Sequence, residues 1–140
     1  MLFHLDPVAW ARARSSGKRF FTAPKQSLYK VQIQTVMRRG FKGRPIEGAL
    51  AVSLIFTIKR PKSVSLNKRP LPVVKCDLDN LLKIILDAGN GIVWKDDAQV
   101  VTLEASKIYG DAGSIWLQYK EVGGAHCVPV SMSAVLQCKA

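Results

Sequence analysis

The run LAVSLIFTIKR at residues 50–60 constrains the fold more than any other stretch of the chain. It is rich in β-branched and other apolar residues, and Val52, Leu54, Phe56 and Ile58 alternate onto one side. A period of two with that composition describes a strand whose one face lies on a core. A helix follows over about 77–88, with Leu78, Leu81, Leu82, Ile85 and Leu86 on its core side and a stop at Gly89-Asn90-Gly91. Ile92-Val93-Trp94 reads as a short apolar strand or extended piece. AQVVTLEASKIYG at 98–110 alternates as a strand, Asp111-Ala112-Gly113 turns, and SIWLQYK at 114–120 is expected to return as the second strand of a hairpin.

Upstream the pattern is weaker. Residues 1–15 read as irregular or weakly helical, and a helix is expected over 25–39, entered at Thr22-Ala23-Pro24 and stopped at Gly40. Its apolar face is assigned to Leu28, Val31 and Val36. A loop at 40–48 and a long Lys/Arg/Pro/Ser loop at 61–74 flank the strand, and loops of the latter length tend to be functional. The expected fold is therefore α/β (α+β): one small domain over about 1–120, a mixed sheet of about four strands, and two or three helices. Residues 121–140 form a tail that fits no element.

Charge separates the two halves. The net charge is +11, with 21 Lys and Arg against 10 Asp and Glu. Residues 1–75 hold 16 of the basic and 2 of the acidic residues. A basic field of this kind attracts phosphate backbones and releases their counterions on binding. No run of about 18 apolar residues exists to span a membrane, and MLFHLDPVAW, broken by His4, Asp6 and Pro7, is not a signal peptide. Cys76, Cys127 and Cys138 show no CxxC spacing and suit a reducing cytoplasm, and with His4 and His126 far apart a His/Cys zinc site is not expected.

Half of the acids lie in KCDLDNLLKIILDAGNGIVWKDD, residues 75–97. Asp77 and Asp79 open the helix, and Asp96 and Asp97 follow the extended piece. The chain between the pairs is long enough to go out and come back, so the carboxylates are expected to converge on a divalent cation. Mg²⁺ is the natural occupant, a hard ion that accepts carboxylates, water and phosphate oxygens together. Lys83, one turn beyond Asp79, would face a phosphorane. Each acid also has a bland reading: Asp77 or Asp79 as a helix cap, Asp79–Lys83 as a solvated i,i+4 pair, Asp96-Asp97 as a turn. A calcium loop counted from Asp77 fails, since Leu82 stands where glycine is needed and Ala88 where glutamate is.

The whole stretch from Asp77 to Val101 resembles the signature of RusA-type Holliday junction resolvases. Asp77, Leu78, Asp79, Asn80, Leu81, Lys83, Asp87, Ala88, Asn90, Gly91, Asp96, Asp97, Gln99, Val100 and Val101 match it, and GKRFFTAPKQSLYK and SKIYG also look like the family. The resemblance spans about 17–120 and departs at Cys76, where the family usually has Pro or Arg. It implies a homodimeric, Mg²⁺-dependent endonuclease, with Mn²⁺ as a substitute, that nicks opposing strands of branched DNA in recombination and repair. Asp77, Asp79, Asp97 and Lys83 then correspond to the catalytic set, with Asp96 as an assisting metal ligand. Lys18, Arg19, Lys25, Arg69 and Lys75 are the expected DNA contacts, and Phe20, Phe21 or Trp94 the candidates for stacking on a base. A phage or prophage origin in a bacterial cytoplasm is also implied. The rival readings are a nuclease for flaps or forks and a non-catalytic nucleic-acid-binding module.

Overall fold

The computed structural model describes residues 1–9, 14–16, 19–21, 24–65, 67–73 and 76–123. A four-stranded sheet is built from β1 (Leu2–Phe3), β4 (Leu50–Lys59), β5 (Val100–Gly110) and β6 (Ser114–Glu121), in the order β1-β6-β4-β5. A separate antiparallel pair joins β2 (Arg14–Ser16) to β3 (Arg19–Phe21). Two helices, α1 (Pro24–Gly40) and α2 (Leu78–Gly89), contribute to one core with the large sheet.

The strand at 50–60 is the centre of this arrangement. Leu50, Val52, Leu54 and Phe56 are fully buried in the core, and the alternate residues Ala51, Ser53, Ile55 and Thr57 are buried as well. β4 pairs in parallel with β5 and antiparallel with β6. Parallel neighbours need a crossover between them, and α2 supplies it. Its inner side is Leu81, Ile84, Ile85 and Ala88, with Leu78, Leu82 and Leu86 partly buried against the same core.

Four sequence expectations change. β5 and β6 are not a hairpin, because β4 lies between them. The chain crosses the end of β4 instead: Gly110 lies opposite Lys59, and Ser114 opposite Thr57. Gly110 allows that crossing, since a Cβ there would press on the Thr57 methyl. The N-terminus is also not irregular throughout. Leu2 and Phe3 pair with Trp116 and Ile115, and the terminal amine donates to the Leu117 carbonyl at 2.7 Å. Two residues are too few to show a period, and burial of Phe3 fixes them.

The third change concerns α1. Leu28 and Val31 are exposed, and the buried face is Tyr29, Ile33 and Met37 at i, i+4 and i+8. Apolar residues lie all round this helix, so the pattern alone did not select a face; the buried Tyr29, whose hydroxyl accepts from Val8 N, marks the true one. Finally, Ile92–Trp94 is a turn joined to Ile46 and Asn90 by isolated bridges at Trp94 rather than a strand. Apart from its first residues, the C-terminal tail lies outside the described residues.

Candidate active site

α2 starts with Asp77 in the N-cap position, at φ −62° and ψ 136°. The Asp77 carbonyl accepts the first helical bond from Leu81 N at 3.1 Å. Its carboxylate makes no capping hydrogen bond, although Asp is among the best capping side chains. The side chain stands exposed at the helix entrance. Immediately before it, Cys76 adopts φ 58°, the one left-handed non-glycine conformation among the described residues. The Cys76 carbonyl accepts from Lys107 Nζ at 2.9 Å. Lys107 extends from β5 on the face that also carries Ala105, opposite Phe56.

Asp79 and Lys83 are exposed on the outer face of α2, with Asp87 half-buried one turn further. Among the described residues no ion pair joins Asp79 to Lys83; the pair that does form is Lys95 Nζ to Glu47 Oε1 at 3.6 Å. The i,i+4 surface contact is therefore not what these two charges do.

The second acidic pair has a different setting. A single 3₁₀ turn, Asp97–Gln99, leads into β5. Asp96 caps it: its Oδ1 accepts from Ala98 N at 2.8 Å, and Gln99 Oε1 accepts from Asp96 N at 2.7 Å. Gln99 Nε2 also donates to the Ile46 and Gly48 carbonyls. Asp97 is half-buried, and its Oδ1 accepts from Asn90 Nδ2 at 3.3 Å. Asn90 follows the last residue of α2, and its Oδ1 accepts from Trp94 Nε1 at 3.0 Å. Trp94 is fully buried, so it is not available to stack on a base. Gly89 lets the indole lie against the helix end, where any Cβ would collide with the ring.

These contacts place the two pairs at opposite ends of one helix. The 12 residues of α2 span about 18 Å at 1.5 Å per residue. Metal-bound carboxylate oxygens sit roughly 2.0–2.6 Å from a hard cation. Asp77 and Asp97 of one chain cannot share an ion, and among the described residues no three potential ligands gather. Within one chain the two pairs therefore do not converge, and topology gives the reason. β5 is parallel to β4, so Asp96 and Asp97 feed the end of the sheet where β4 begins. Asp77 and Asp79 lie where β4 ends.

Of the expected DNA contacts, Lys25 is exposed in the first turn of α1 and Arg69 is half-buried. Arg60 Nη1 donates to the Arg69 carbonyl at 2.9 Å and Nη2 to the Pro70 carbonyl at 3.4 Å, while its guanidinium lies 4.2 Å from the Tyr109 ring centre. The basic loop is thereby pinned to the ends of β4 and β5. Lys18 and Lys75 lie outside the described residues, as do the side chains of Arg19, Phe20 and Phe21. Lys107 was missed by sequence reasoning, which also gave Asn90 no role beyond the helix stop and the signature and did not foresee that Arg60 holds the loop. A lysine interrupting the Leu103-Ala105-Lys107 row of a strand was the available signal for Lys107.

The family model described as Endodeoxyribonuclease RusA matches residues 5–118. The chain belongs to the RusA family. The match takes in both acidic pairs, Lys83 and Lys107. The Uncharacterized protein YqaN of Bacillus subtilis (strain 168) is 32% identical over 130 residues, covering 84% of this chain and 92% of that protein. RusA membership makes the chain an endodeoxyribonuclease, and among the described residues no helix is long and apolar enough to cross a membrane.

Proposed function

We propose that this RusA protein is a homodimeric, Mg²⁺-dependent endonuclease that resolves four-way DNA junctions by paired nicks in recombination and repair. The observation that carries the reading is the Asp77 carboxylate, which leaves its helix cap unmade and stands exposed beside Asp79. A structural aspartate in that position would be spent on the cap.

The donor chemistry suits Mg²⁺, whereas the geometry of one chain does not supply three acids. A second copy does. In a two-fold dimer the same patch serves both subunits, so the Asp77/Asp79 end of one α2 meets the Asp97 end of the other and two equivalent sites result. Paired nicking on opposing strands follows from two such sites. Asp77, Asp79 and Asp97 are the residues that would hold the ion, which supplies an activated water and charge neutralisation at the phosphate. Asp96, spent on its own cap through Oδ1, ranks behind them. Lys83, which forms no ion pair among the described residues, stands one turn from Asp79, placed to bind a phosphate oxygen. Asn90 holds the Asp97 carboxylate in one orientation. Exposed Arg38, Arg39, Lys42 and Arg44 at the end of α1, with Lys25 and the pinned 61–73 loop, offer backbone contacts that position DNA without reading bases.

The test is cleavage of a synthetic four-way junction beside a linear duplex of matching sequence, with Mg²⁺, with Mn²⁺ and with chelator. Metal-dependent nicking confined to the junction is expected. Equal cutting of both substrates sinks the structure selectivity, and cutting in chelator sinks the metal site. Flap and fork substrates in the same assay separate four-way junctions from other branched DNA.

A further inference from the structure

Three features meet at the entrance to α2. Cys76 is held at φ 58°, a region that residues with a side chain rarely adopt without compensation. The ammonium of Lys107, in line with Ala105 on β5, is committed to the Cys76 carbonyl. The next residue is Asp77, whose side chain makes no cap. A backbone flip at Cys76 would reorient the peptide that leads into Asp77; among the described residues the Lys107 bond opposes it, beside the packing of the Cys76 side chain on the core. Further upstream, Arg60 separately holds the Arg69 and Pro70 carbonyls.

We propose that Lys107 is a positioning residue, which holds Cys76 in its left-handed conformation and thereby aims the Asp77 carboxylate away from the helix cap and toward the metal. This rests on the reading of Asp77 as a metal ligand. Lys107 touches neither metal nor DNA in this role; it acts through one carbonyl. The cost of the unusual backbone at Cys76 is met by a charge-assisted hydrogen bond, and the result is a carboxylate preset for an ion instead of for its own helix.

The experiment compares the full-length protein with Lys107→Met, Lys107→Arg, Cys76→Gly and the Lys107→Met/Cys76→Gly double variant. Two readouts are taken: the Mg²⁺ concentration for half-maximal junction cleavage, and the Cys76 φ from backbone NMR couplings and shifts. Lys107→Met should raise the half-maximal Mg²⁺ by about tenfold, the lower end of what a lost supporting partner of a ligand costs. Cys76 should leave the left-handed region in the same variant, with junction affinity in chelator unchanged. Lys107→Arg keeps a donor and should recover part of the loss. Glycine occupies positive φ without penalty, so the double variant should need less Mg²⁺ than Lys107→Met alone. An unchanged Mg²⁺ requirement overturns the proposal, and so does a loss that follows the melting temperature and is rescued by neither change. The NMR arm separates the two ideas. A parent protein that never cleaves junctions removes the nuclease reading, while Cys76 remaining at positive φ in Lys107→Met removes the role of Lys107 whatever the activity.

Discussion

Asn90 Nδ2 donates to Asp97 Oδ1 at 3.3 Å and ties that acid to the end of α2 farthest from Asp77. If Asp97 shares an ion with Asp77 and Asp79, as proposed above, the second acid has to come from another chain. Complementation tests this directly. Asp77→Asn and Asp97→Asn should each be inactive alone. Mixed and allowed to exchange subunits, half the dimers carry one site with both changes and one with neither, so about a quarter of the sites regain function in a two-fold assembly. Recovered nicking, in single nicks more than paired ones, is the expected result. No recovery from a mixture shown to contain heterodimers would eliminate the shared site.

Asp96 and Asp97 are neighbours with different work. Asp96→Ala removes the cap of the 3₁₀ turn and should cost about 1 kcal/mol, seen as a melting temperature a few degrees lower. Cleavage measured well below that temperature should fall little. Asp97→Ala should do the reverse, abolishing cleavage with a smaller thermal effect. Equal loss of activity from both would return Asp96 to the metal-binding set.

Trp94 orients Asn90, because its Nε1 donates to Asn90 Oδ1 and so leaves the amide nitrogen for Asp97. The indole also donates to the Leu86 carbonyl at 3.3 Å. Trp94→Phe keeps most of the buried ring and removes both donations. A buried hydrogen-bonding group left unpaired costs roughly 1–3 kcal/mol. Denaturant midpoints should register that, and cleavage under folded conditions should drop beyond it because the Asn90 amide is free to flip. Cleavage that merely follows the fraction folded would remove Trp94 from the chain of orientation.

The uneven legibility of this chain has a physical source. Signals written within one element were readable: the strand at Leu50–Lys59, the helix ending at Gly89, and the strand ending at Gly110 appear within a residue or two of expectation. Features set by distant partners were not. β6 follows β5 after a tight turn yet pairs with β4, since long-range pairing and not proximity placed it. The Asp77–Lys83 segment was recognisable as chemistry from residue types and spacing. Its separation from Asp97 was hidden, because it depends on β5 running parallel to β4. Lys107 was hidden for the same reason: its partner, Cys76, lies 31 positions away.

Arg60 restrains the basic loop through two carbonyls and the Tyr109 ring. Arg60→Ala should leave the core untouched, since Arg60 itself is not part of it. Global stability should change by less than about 1 kcal/mol, as for other largely solvated contacts. The loop at 61–73 should instead become the first site of cleavage under limited trypsin digestion, at Lys62 or Lys68, because local opening governs such nicking. An unchanged digestion pattern would mean that the loop is held by something other than Arg60.

Tyr29 supplies a pH test of the α1 packing. Burial pushes its hydroxyl up to about 12 from the ordinary 10.0; the Val8 amide donating to it acts in the opposite sense, and Asp6 adds to the rise. The folded state thus holds the proton more tightly than the unfolded state. Its contribution is complete below pH 10 and is lost between 10 and 12, where the unfolded chain has ionised and the folded one has not. Tyr119, also raised by burial, acts in the same direction. Melting temperature should therefore fall across this window, and Tyr29→Phe should fall less steeply than the parent because it has no proton to lose at this position. Phenylalanine also lacks the acceptor for Val8 N, so its melting temperature below pH 10 should be lower, by a few degrees for a lost hydrogen bond worth about 1 kcal/mol. The two curves should converge as pH approaches 12. Parallel curves across the window would show that the Tyr29 hydroxyl titrates alike in the folded and unfolded chains.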